Sequence, residues 1–399
     1  MAPILHNIYT VIQIIFMIFL GSSVLYIFIF SFAGLFYRQK AYPQHPALHK
    51  IVLLIPGYME DIVIREVASD ALLQDYPKED FEVVIIADSF QKDTLDFLNS
   101  IHIKVIEVKF DISTKAKSLN KAMEQLTDKY DIAVILDADN MMARDFLSKV
   151  NASFESGFIA VQGHRTAKNM NTSLAILDAV SEEINNHIFR KGHRALGLSS
   201  AIIGSGMAFE YNFFKDIMST IMAIGGFDKE IELKLLKEGH TIEYLEDAYV
   251  YDEKVQRAEA FTNQRRRWLS AQYKYFRTDI FPSFKAMITK GNIEYFNKAF
   301  QFAQPPRILL LGLVMLLTIL YSLLNHILEI SSIYSYIWTG IFVICLFSFV
   351  CSVPRKMYTW KTLLALTSLL KGMRLMFGSL IRIKGANRHF IHTKHGESQ

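Results

Sequence analysis

The sequence predicts a mixed α/β domain with a parallel sheet, held at a membrane by apolar helices near both ends of the chain. Between residues 51 and 137, short strands that are apolar throughout alternate with helical patterns. This alternation is typical of a parallel sheet covered by helices on both faces. Long uncharged runs flank the region on each side. In such a Rossmann-like layout, ligands bind beyond the carboxyl ends of the strands.

The overall composition excludes several classes of protein. Of the 399 residues, 51% are hydrophobic and 21% are charged, which excludes intrinsic disorder. The net charge of +4 is too small to indicate nucleic-acid binding. Cys345 and Cys351 both lie in one apolar run, so the sequence predicts neither a disulfide framework nor a CxxC metal site. We therefore expect the protein to reside in a reducing compartment.

Three apolar runs are predicted to span the membrane. Residues 8–37 follow a segment without Lys or Arg, which favours a retained helix over a signal peptide. Residues 308–324 and 331–353 form a predicted hairpin whose connection also lacks Lys and Arg. Basic residues flank the other ends of these runs, so the positive-inside rule predicts an outside N-terminus and a cytosolic α/β domain. We expect an integral protein of a bacterial inner (plasma) membrane.

Two further segments are predicted to lie at the membrane surface. Residues 362–383 have apolar side chains at helical spacing but include Lys371 and Arg374, each costing about 2.5–3.5 kcal/mol within a span. An amphipathic surface helix fits them better. A basic tail follows, which either binds anionic headgroups or is simply solvated; it contains Arg382, Lys384, Arg388 and Lys394. The predicted regions are an N-terminal helix (1–40), the α/β domain (45–280), interfacial helices (281–307), a membrane hairpin (308–354), and the surface helix with its tail (355–399).

Polar residues follow three of the predicted strands. Pro56, Tyr58 and Glu60 come after the first strand, Asp88 after the second, and Asp137-Ala138-Asp139 after IAVIL. Two carboxylates at a strand end suit Mg²⁺ or Mn²⁺ bound to a diphosphate. The alternative is that Asp139 and Asn140 only cap the following helix. Neither GxGxxG nor GxxxxGK[ST] follows the first strand, which argues against a dinucleotide fold and a P-loop.

The segment Gln264-Arg265-Arg266-Arg267-Trp268 matches the pattern QxxRW and lies between the α/β domain and the hairpin. With the DxD of Asp137 and Asp139, it resembles the membrane-embedded family 2 glycosyltransferases, which include cellulose, chitin and hyaluronan synthases and ceramide glucosyltransferase. The resemblance covers about residues 45–354. It implies a GT-A fold and a divalent metal, Mg²⁺ or Mn²⁺.

The resemblance also implies roles for single residues. Asp139 is expected to hold the metal together with Asp137, while Trp268 is expected to contact the acceptor or to anchor the chain at the membrane surface. Of the three arginines, Arg267 is expected to contact the donor phosphates. Arg265 and Arg266 are expected either to contact the same phosphates or to form a basic patch at the membrane surface. Donor binding is implied for Pro56, Tyr58, Glu60, Asp88, Lys115, Asp137, Gln264 and Arg267, and acceptor binding for Gly204, Ser205, Gly206 and Trp268.

The catalytic base is where the sequence departs from the family pattern T-E-D followed by x-E-L. Here the corresponding stretch reads Asp228-Lys229-Glu230-Ile231-Glu232-Leu233. Alignment on the shared E-L puts Glu230 at the position of the base, with Asp228 as the alternative. A carboxylate at either position can accept a proton from an acceptor hydroxyl. A third reading is that both residues only begin a helix near Phe227.

The expected activity follows from this resemblance. It is an inverting transfer of a sugar from a UDP-sugar to a membrane-associated lipid or saccharide acceptor, forming a β-linkage in polysaccharide or glycolipid biosynthesis. A processive polysaccharide synthase coupled to export is one alternative, although three spans are few for a polymer channel. A membrane scaffold of the same fold without catalytic activity is the other.

Overall fold

The structure is a computed structural model that describes residues 3–126 and 130–383, so Lys384, Arg388 and Lys394 of the predicted tail lie outside the described residues. The described residues form an eight-stranded sheet in the order β3-β2-β1-β4-β7-β6-β8-β5. The strands are β1 (Ile51–Tyr58), β2 (Phe81–Asp88), β3 (Lys104–Val108), β4 (Ile132–Ile135), β5 (Met141–Met142), β6 (Ala160–Ala167), β7 (Met207–Glu210) and β8 (Ile242–Asp252).

The four strands predicted between residues 51 and 137 are confirmed and run parallel to one another. Strand β7 is antiparallel to both β4 and β6, which makes the second half of the sheet mixed. Side chains alternate along β1 between two buried clusters, with Leu53 in one and Leu54 in the other. Both faces of the sheet are therefore covered, which explains why the strands are apolar throughout.

Helices cover the sheet and extend away from it. They are α1 (Pro3–Gly34), α2 (Asp61–Ala71), α3 (Lys92–Ser100), α4 (Lys115–Gln125), α5 (Phe146–Phe154), α6 (Ser173–Asn185), α7 (His193–Ala195), α8 (Tyr211–Ser219), α9 (Phe227–Glu238), α10 (Ala258–Lys290), α11 (Ile293–Ala303), α12 (Arg307–Ile327), α13 (Ser332–Ser352), α14 (Trp360–Ala365) and α15 (Leu369–Ile381). A π-helical turn, Asn186–Gly192, connects α6 to α7. Helix α10 is continuous across residue 280, where the sequence predicted a domain boundary.

Four helical segments among the described residues are long and apolar enough to cross a membrane: Ile4–Gly34, Arg307–Ile327, Ser332–Ser352 and Trp360–Ile381. The first three coincide with the predicted spans. The fourth coincides with the predicted surface helix and is interrupted by a 3₁₀ turn, Leu366–Ser368. Length and composition alone do not distinguish a spanning helix from a surface helix at this position, so the surface location stays a prediction.

Polar contacts define how the first three of these helices run relative to one another. At one end, the Tyr9 hydroxyl donates to Asn325 Oδ1 (2.8 Å), and Asn325 also donates to Ser335 (3.2 Å). At the other end, the Ser31 hydroxyl donates to the carbonyl of Ser348 (2.6 Å). Helix α1 is therefore parallel to α13 and antiparallel to α12. These are the relative directions that the predicted topology requires.

The end of α1 packs closely against the α/β domain at Gly192. A Cβ atom at this position would lie 2.1 Å from the backbone oxygen of Phe30. We expect Gly192→Ala to lower the free energy of unfolding by about 2–3 kcal/mol, because two backbone segments would have to separate. Gly340→Ala is the matched control, since no atom lies within 4 Å of a Cβ there. Thermal unfolding in non-ionic detergent checks this; equal midpoints for both variants would contradict the described contact.

Candidate active site

A cavity of about 1150 Å³ lies at the carboxyl edge of β1, β2 and β4. It continues from these strand ends to α12, α13 and the segment that contains α14 and α15. Three of the predicted site residues, Ser205, Gly206 and Glu230, are not among its lining residues. The predicted residues that do line it are Pro56, Tyr58, Glu60, Asp88, Lys115, Asp137, Asp139, Gly204, Asp228, Gln264, Arg267 and Trp268.

Asp88 ends β2 with a carboxylate that is only half satisfied within the protein. Its Oδ1 accepts a hydrogen bond from the Ser89 hydroxyl (3.0 Å), whereas Oδ2 is buried without a partner. The residue is 1% exposed. An unpaired buried carboxylate oxygen is costly. A ligand N–H or O–H group in the cavity would satisfy it.

Lys115 connects two walls of the cavity. Thr114 caps the start of α4, which sets Lys115 at the first position of the helix. The Lys115 ammonium donates to Asp137 and to the carbonyl of Gly204 (2.7 Å), and it lies 5.4 Å from the ring centroid of Phe227. One positive charge therefore connects the DxD, the loop that contains Gly204 and the start of α9.

Ser205 and Gly206 support the DxD from behind the cavity. The fully buried Ser205 hydroxyl accepts a hydrogen bond from the backbone N–H of Asp137 (2.9 Å). The Asn140 side-chain amide lies between Ser205, Asp139 and Asp252. When its nitrogen faces the two carboxylates, it donates a hydrogen bond to each of them, and its oxygen accepts one from the Ser205 hydroxyl. Gly206 has a φ of 62° and lies against Val250, where a Cβ would come within 2.8 Å. These contacts indicate a positioning role rather than contact with an acceptor.

Asp137 and Asp139 are the residues that fit a divalent metal. Both line the cavity, and Asp139 is buried. In the described part of the chain, no group of three or more His, Cys, Asp or Glu side chains forms a complete metal cage. Mg²⁺ is commonly held by one or two carboxylates, with phosphate and water oxygens filling its remaining positions. The donor set therefore suits a metal that binds together with a diphosphate.

The three consecutive arginines on α10 have different environments. Arg265 forms a buried ion pair with Asp178 of α6 and lies over the Trp268 ring (4.2 Å). Arg266 is outside the cavity lining and donates to the carbonyl of Arg382 (3.0 Å). Arg267 lines the cavity, and burial lowers the pKa of its guanidinium. Of the three, Arg265 and Arg267 line the cavity, and the Arg265 guanidinium is paired with Asp178.

The carboxylates of α9 also have different environments. Asp228 lines the cavity and packs against Gly204. Glu230 instead accepts a hydrogen bond from the Tyr275 hydroxyl (2.8 Å), and burial together with the charge of Glu230 raises the pKa of Tyr275. The sequence alignment favoured Glu230 as the base, but its side chain is held on the α10 side of the helix.

A third carboxylate of α9, Glu232, was not predicted as a site residue but lines the cavity with Lys298 of α11. The two form a buried ion pair with a nitrogen–oxygen distance of 2.7 Å. Burial raises the pKa of Glu232 and lowers that of Lys298. Because each charge is satisfied by the other, the pair forms a polar wall beside Asp228 without offering a free base.

A buried charge network behind the DxD had no signal in the sequence, because its members are far apart in the chain. Arg165 contacts Glu182 (2.9 Å) and Asp252 (3.7 Å), and Lys254 contacts Asp252 (2.6 Å). Burial alone would raise the pKa of both carboxyl groups. The charges of Arg165 and Lys254 outweigh this effect and lower the pKa of Glu182 and Asp252.

This network makes the stability of the protein depend on pH. Because the carboxyl pKa values are lower in the folded state, ionised Glu182 and Asp252 stabilise the fold above about pH 4.5. We expect this stability to be lost as the pH falls below that value towards the folded-state pKa. Thermal midpoints in non-ionic detergent should be nearly constant from about pH 7 to 5 and should decrease below it.

Glu182→Gln provides the comparison for this prediction. Its midpoint at neutral pH should be lower, since Arg165 loses a charged partner, and its further decrease on acidification should be smaller. A wild-type midpoint that stays unchanged down to about pH 3 would contradict the lowered pKa values.

Comparison with known proteins places the chain among glycosyltransferases. Residues 46–271 match the family described as glycosyltransferase like family 2. Poly(ribitol-phosphate) beta-N-acetylglucosaminyltransferase TarS of Staphylococcus aureus is 25% identical over 107 residues, 26% of this chain and 18% of TarS. Probable glycosyltransferase YdaM of Bacillus subtilis is 22% identical over 238 residues, 55% of this chain and 54% of YdaM. The chain thus matches about a fifth and about half of these two relatives.

A solved structure shows the same architecture. Mannosyltransferase PcManGT from Pyrobaculum calidifontis, in complex with GDP-Man and Mn²⁺, has a TM-score of 0.51 and 17% sequence identity. The similarity covers 84% of this chain and 97% of that protein. At this identity the likeness concerns the fold alone. Together with the family match, it confirms the expected GT-A-like α/β glycosyltransferase fold.

Proposed function

Since the chain belongs to the glycosyltransferase like family 2, we propose that it transfers a sugar from a UDP-sugar to a hydroxyl group of a membrane-associated acceptor. The observation that supports this most directly is that one continuous cavity extends from the strand-end carboxylates to apolar helices. One end offers groups for a nucleotide diphosphate, and the other offers surface for a lipid. A donor and a membrane acceptor can therefore meet within it.

Donor binding is proposed for the polar end of the cavity. The unpaired Asp88 Oδ2 would accept a hydrogen bond from the nucleotide base or its ribose. Arg267 has the planar guanidinium that suits phosphate oxygens, and Lys115 adds a second positive charge. Asp137 and Asp139 would hold Mg²⁺ or Mn²⁺, which would supply positive charge to neutralise the leaving diphosphate. Pro56, Tyr58, Glu60 and Gln264 complete the proposed donor site.

Asp228 is the proposed base, in place of the Glu230 that the alignment favoured. Its position in the cavity wall beside Gly204 supports this choice, as does the engagement of Glu230 by Tyr275. Asp228 accepts the hydroxyl proton while the acceptor oxygen bonds to the anomeric carbon. The bond from that carbon to the diphosphate oxygen breaks, and the electron pair leaves with the diphosphate. A single displacement of this kind converts an α-linked donor into a β-linked product.

The acceptor is proposed to approach from the membrane and to receive one or a few sugars. Trp268 is 36% exposed and lines the cavity, where its ring offers a flat face to a sugar or headgroup. The segment of α14 and α15 contacts α6 and α10 of the domain as well as α12. Contacts with the domain along its length support a location on the cytosolic membrane surface. With three spanning helices, the chain offers little wall for a polymer channel.

The test is a donor screen with the purified full-length chain in non-ionic detergent, supplied with membrane lipid extract. We expect UDP release from one UDP-sugar, dependence on Mg²⁺ or Mn²⁺, loss of activity with a chelator, and labelled sugar in the lipid fraction. GDP-mannose is included because PcManGT was solved with it. Release from no nucleotide sugar would refute the proposal, and a long polymer would refute the single-transfer version.

A further inference from the structure

The membrane end of the cavity contains a guanidinium group that the protein leaves partly unsatisfied. Arg307 lies where α12 begins, and its Nη2 donates to the carbonyl and hydroxyl oxygens of Ser181 (both 3.2 Å). Its Nη1 is buried without a hydrogen-bond partner. Within the described residues, Arg190 and Arg265 each face a carboxylate, whereas no ion pair involves Arg307. Arg307 thus offers a charge and a donor to an anion in the cavity.

Two amide oxygens in the same cavity also lack partners. Gln304 is 8% exposed, and its Oε1 is buried without a hydrogen bond. Its backbone carbonyl accepts a hydrogen bond from Gln272 (3.0 Å), which holds the residue in place just before α12. The Oε1 of Gln264 is unsatisfied as well. Amide oxygens accept hydrogen bonds, so they complement a hydroxyl group rather than a phosphate.

Beyond these polar groups, the cavity wall becomes apolar. This part of the wall is formed by α12, α13 and the segment of α14 and α15. The outer surfaces of the same helices are apolar, and the sequence predicts that they meet the membrane. An acyl or prenyl chain would replace water on this wall favourably, at about 0.8 kcal/mol for each buried methylene. The side chains concerned are Leu311, Leu346, Val350, Leu363, Leu366 and Leu369.

We propose that this end of the cavity binds a membrane lipid whose headgroup carries both a phosphodiester and a free hydroxyl, and that this lipid is the acceptor. The proposal rests on the proposed function. Arg307 pairs with the phosphodiester, the Gln304 Oε1 accepts a hydrogen bond from the free hydroxyl, and the lipid chains lie on the apolar wall. In the transfer, the hydroxyl hydrogen turns from Gln304 to Asp228, which accepts the proton as the hydroxyl oxygen bonds to the anomeric carbon. The bond from that carbon to the diphosphate oxygen breaks, and the diphosphate leaves with the electron pair.

Lipid binding can be measured without a nucleotide sugar. Tritiated phosphatidylglycerol, which has both features, is bound to the immobilised full-length protein in non-ionic detergent with about 0.5 M salt, which screens general surface attraction. Unlabelled competitors are phosphatidylglycerol, phosphatidylcholine (no hydroxyl), diacylglycerol (no phosphate) and glycerol 3-phosphate (no chains). We expect phosphatidylglycerol to compete at least tenfold better than the other three.

Variants test whether the Arg307 guanidinium recognises the lipid phosphate. Arg307→Gln should weaken phosphatidylglycerol binding about tenfold or more, the usual worth of a charge-assisted hydrogen bond, and Arg307→Lys should restore part of it. Arg374→Gln is the matched control, because Arg374 is exposed on α15 and outside the cavity lining; its binding should stay within about twofold of wild type. Thermal unfolding and UDP binding show whether each variant is folded.

Three outcomes would overturn the inference. Diacylglycerol competing as well as phosphatidylglycerol would exclude recognition of the phosphate, and glycerol 3-phosphate competing equally would exclude a lipid as the source of that phosphate. Equal losses in Arg307→Gln and Arg374→Gln would indicate general surface attraction instead of a site. The binding assay contains no nucleotide sugar. A negative binding result therefore does not contradict an observed UDP release, and the absence of UDP release does not contradict observed lipid binding.

Discussion

Replacing Asp228 with Asn is expected to lower the rate of sugar transfer by a factor of about 10²–10⁴, the usual contribution of a general base. Asn keeps the size of the side chain but cannot accept the proton. Glu230→Gln should stay within about threefold of wild type, because its side chain contacts Tyr275 rather than the cavity. The measurement is the initial rate of UDP release at saturating donor, together with the KM for the donor.

The two variants control for each other, since they lie two residues apart on one helix and remove the same kind of charge. The donor KM should be nearly unchanged in both, because neither residue belongs to the proposed donor site. If Glu230→Gln lost activity and Asp228→Asn kept it, the alignment on the E-L pair would be the better guide. Equal activity in both variants would mean that neither carboxylate is the base.

Asp139→Asn is expected to lower kcat/KM for the donor by at least about 10², because a metal ion contributes several kcal/mol of charge stabilisation to phosphate chemistry. Asp139 and Asp137 are the two carboxylates suited to hold that ion. The Mn²⁺ concentration needed for half-maximal activity should also rise, since a neutral amide is a weaker ligand. Titration of Mn²⁺ against UDP release measures both effects.

Asp145→Asn is the control for this second prediction. Asp145 precedes α5, is outside the cavity lining and forms an exposed ion pair with Lys149 (2.7 Å). Exposed pairs of this kind contribute about 0–1 kcal/mol to stability, so activity and Mn²⁺ dependence should not change. If the Mn²⁺ dependence of Asp139→Asn were the same as that of the wild type, Asp139 would not be a ligand of the metal.

Local sequence pattern was sufficient to predict four strands of the sheet, β1 to β4, and the residues at the edge where they end. Strands β1 to β4 were predictable because each is a short apolar run, and the period of the pattern distinguishes strands from helices. Parallel strands end at the same edge of a sheet. The positions of Asp88, Asp137 and Asp139 at one cavity therefore followed from the strands that precede them. The apolar spans were predictable for a similar reason, since length and charge are local properties.

The choice between Asp228 and Glu230 needed the tertiary structure. Two residues that are two positions apart on an α-helix point in directions that differ by about 200°. Which of them faces the cavity depends on how α9 packs against α10, where Tyr275 holds Glu230. Alignment by residue type contains no information about that rotation.

Sequence pattern also does not show which arginines face the cavity or which residues form its membrane end. Arg265 and Arg267 both line the cavity, and Arg265 is paired there with Asp178, which is 87 positions away in the chain. Arg307 is one of the basic residues that flank the predicted spans, and its contact with Ser181 places it in the wall of the same cavity. Residue spacing predicts which chemical groups the chain offers at a strand end or on a helix. Their partners come from distant segments, so packing alone decides which of those groups remain available to a ligand.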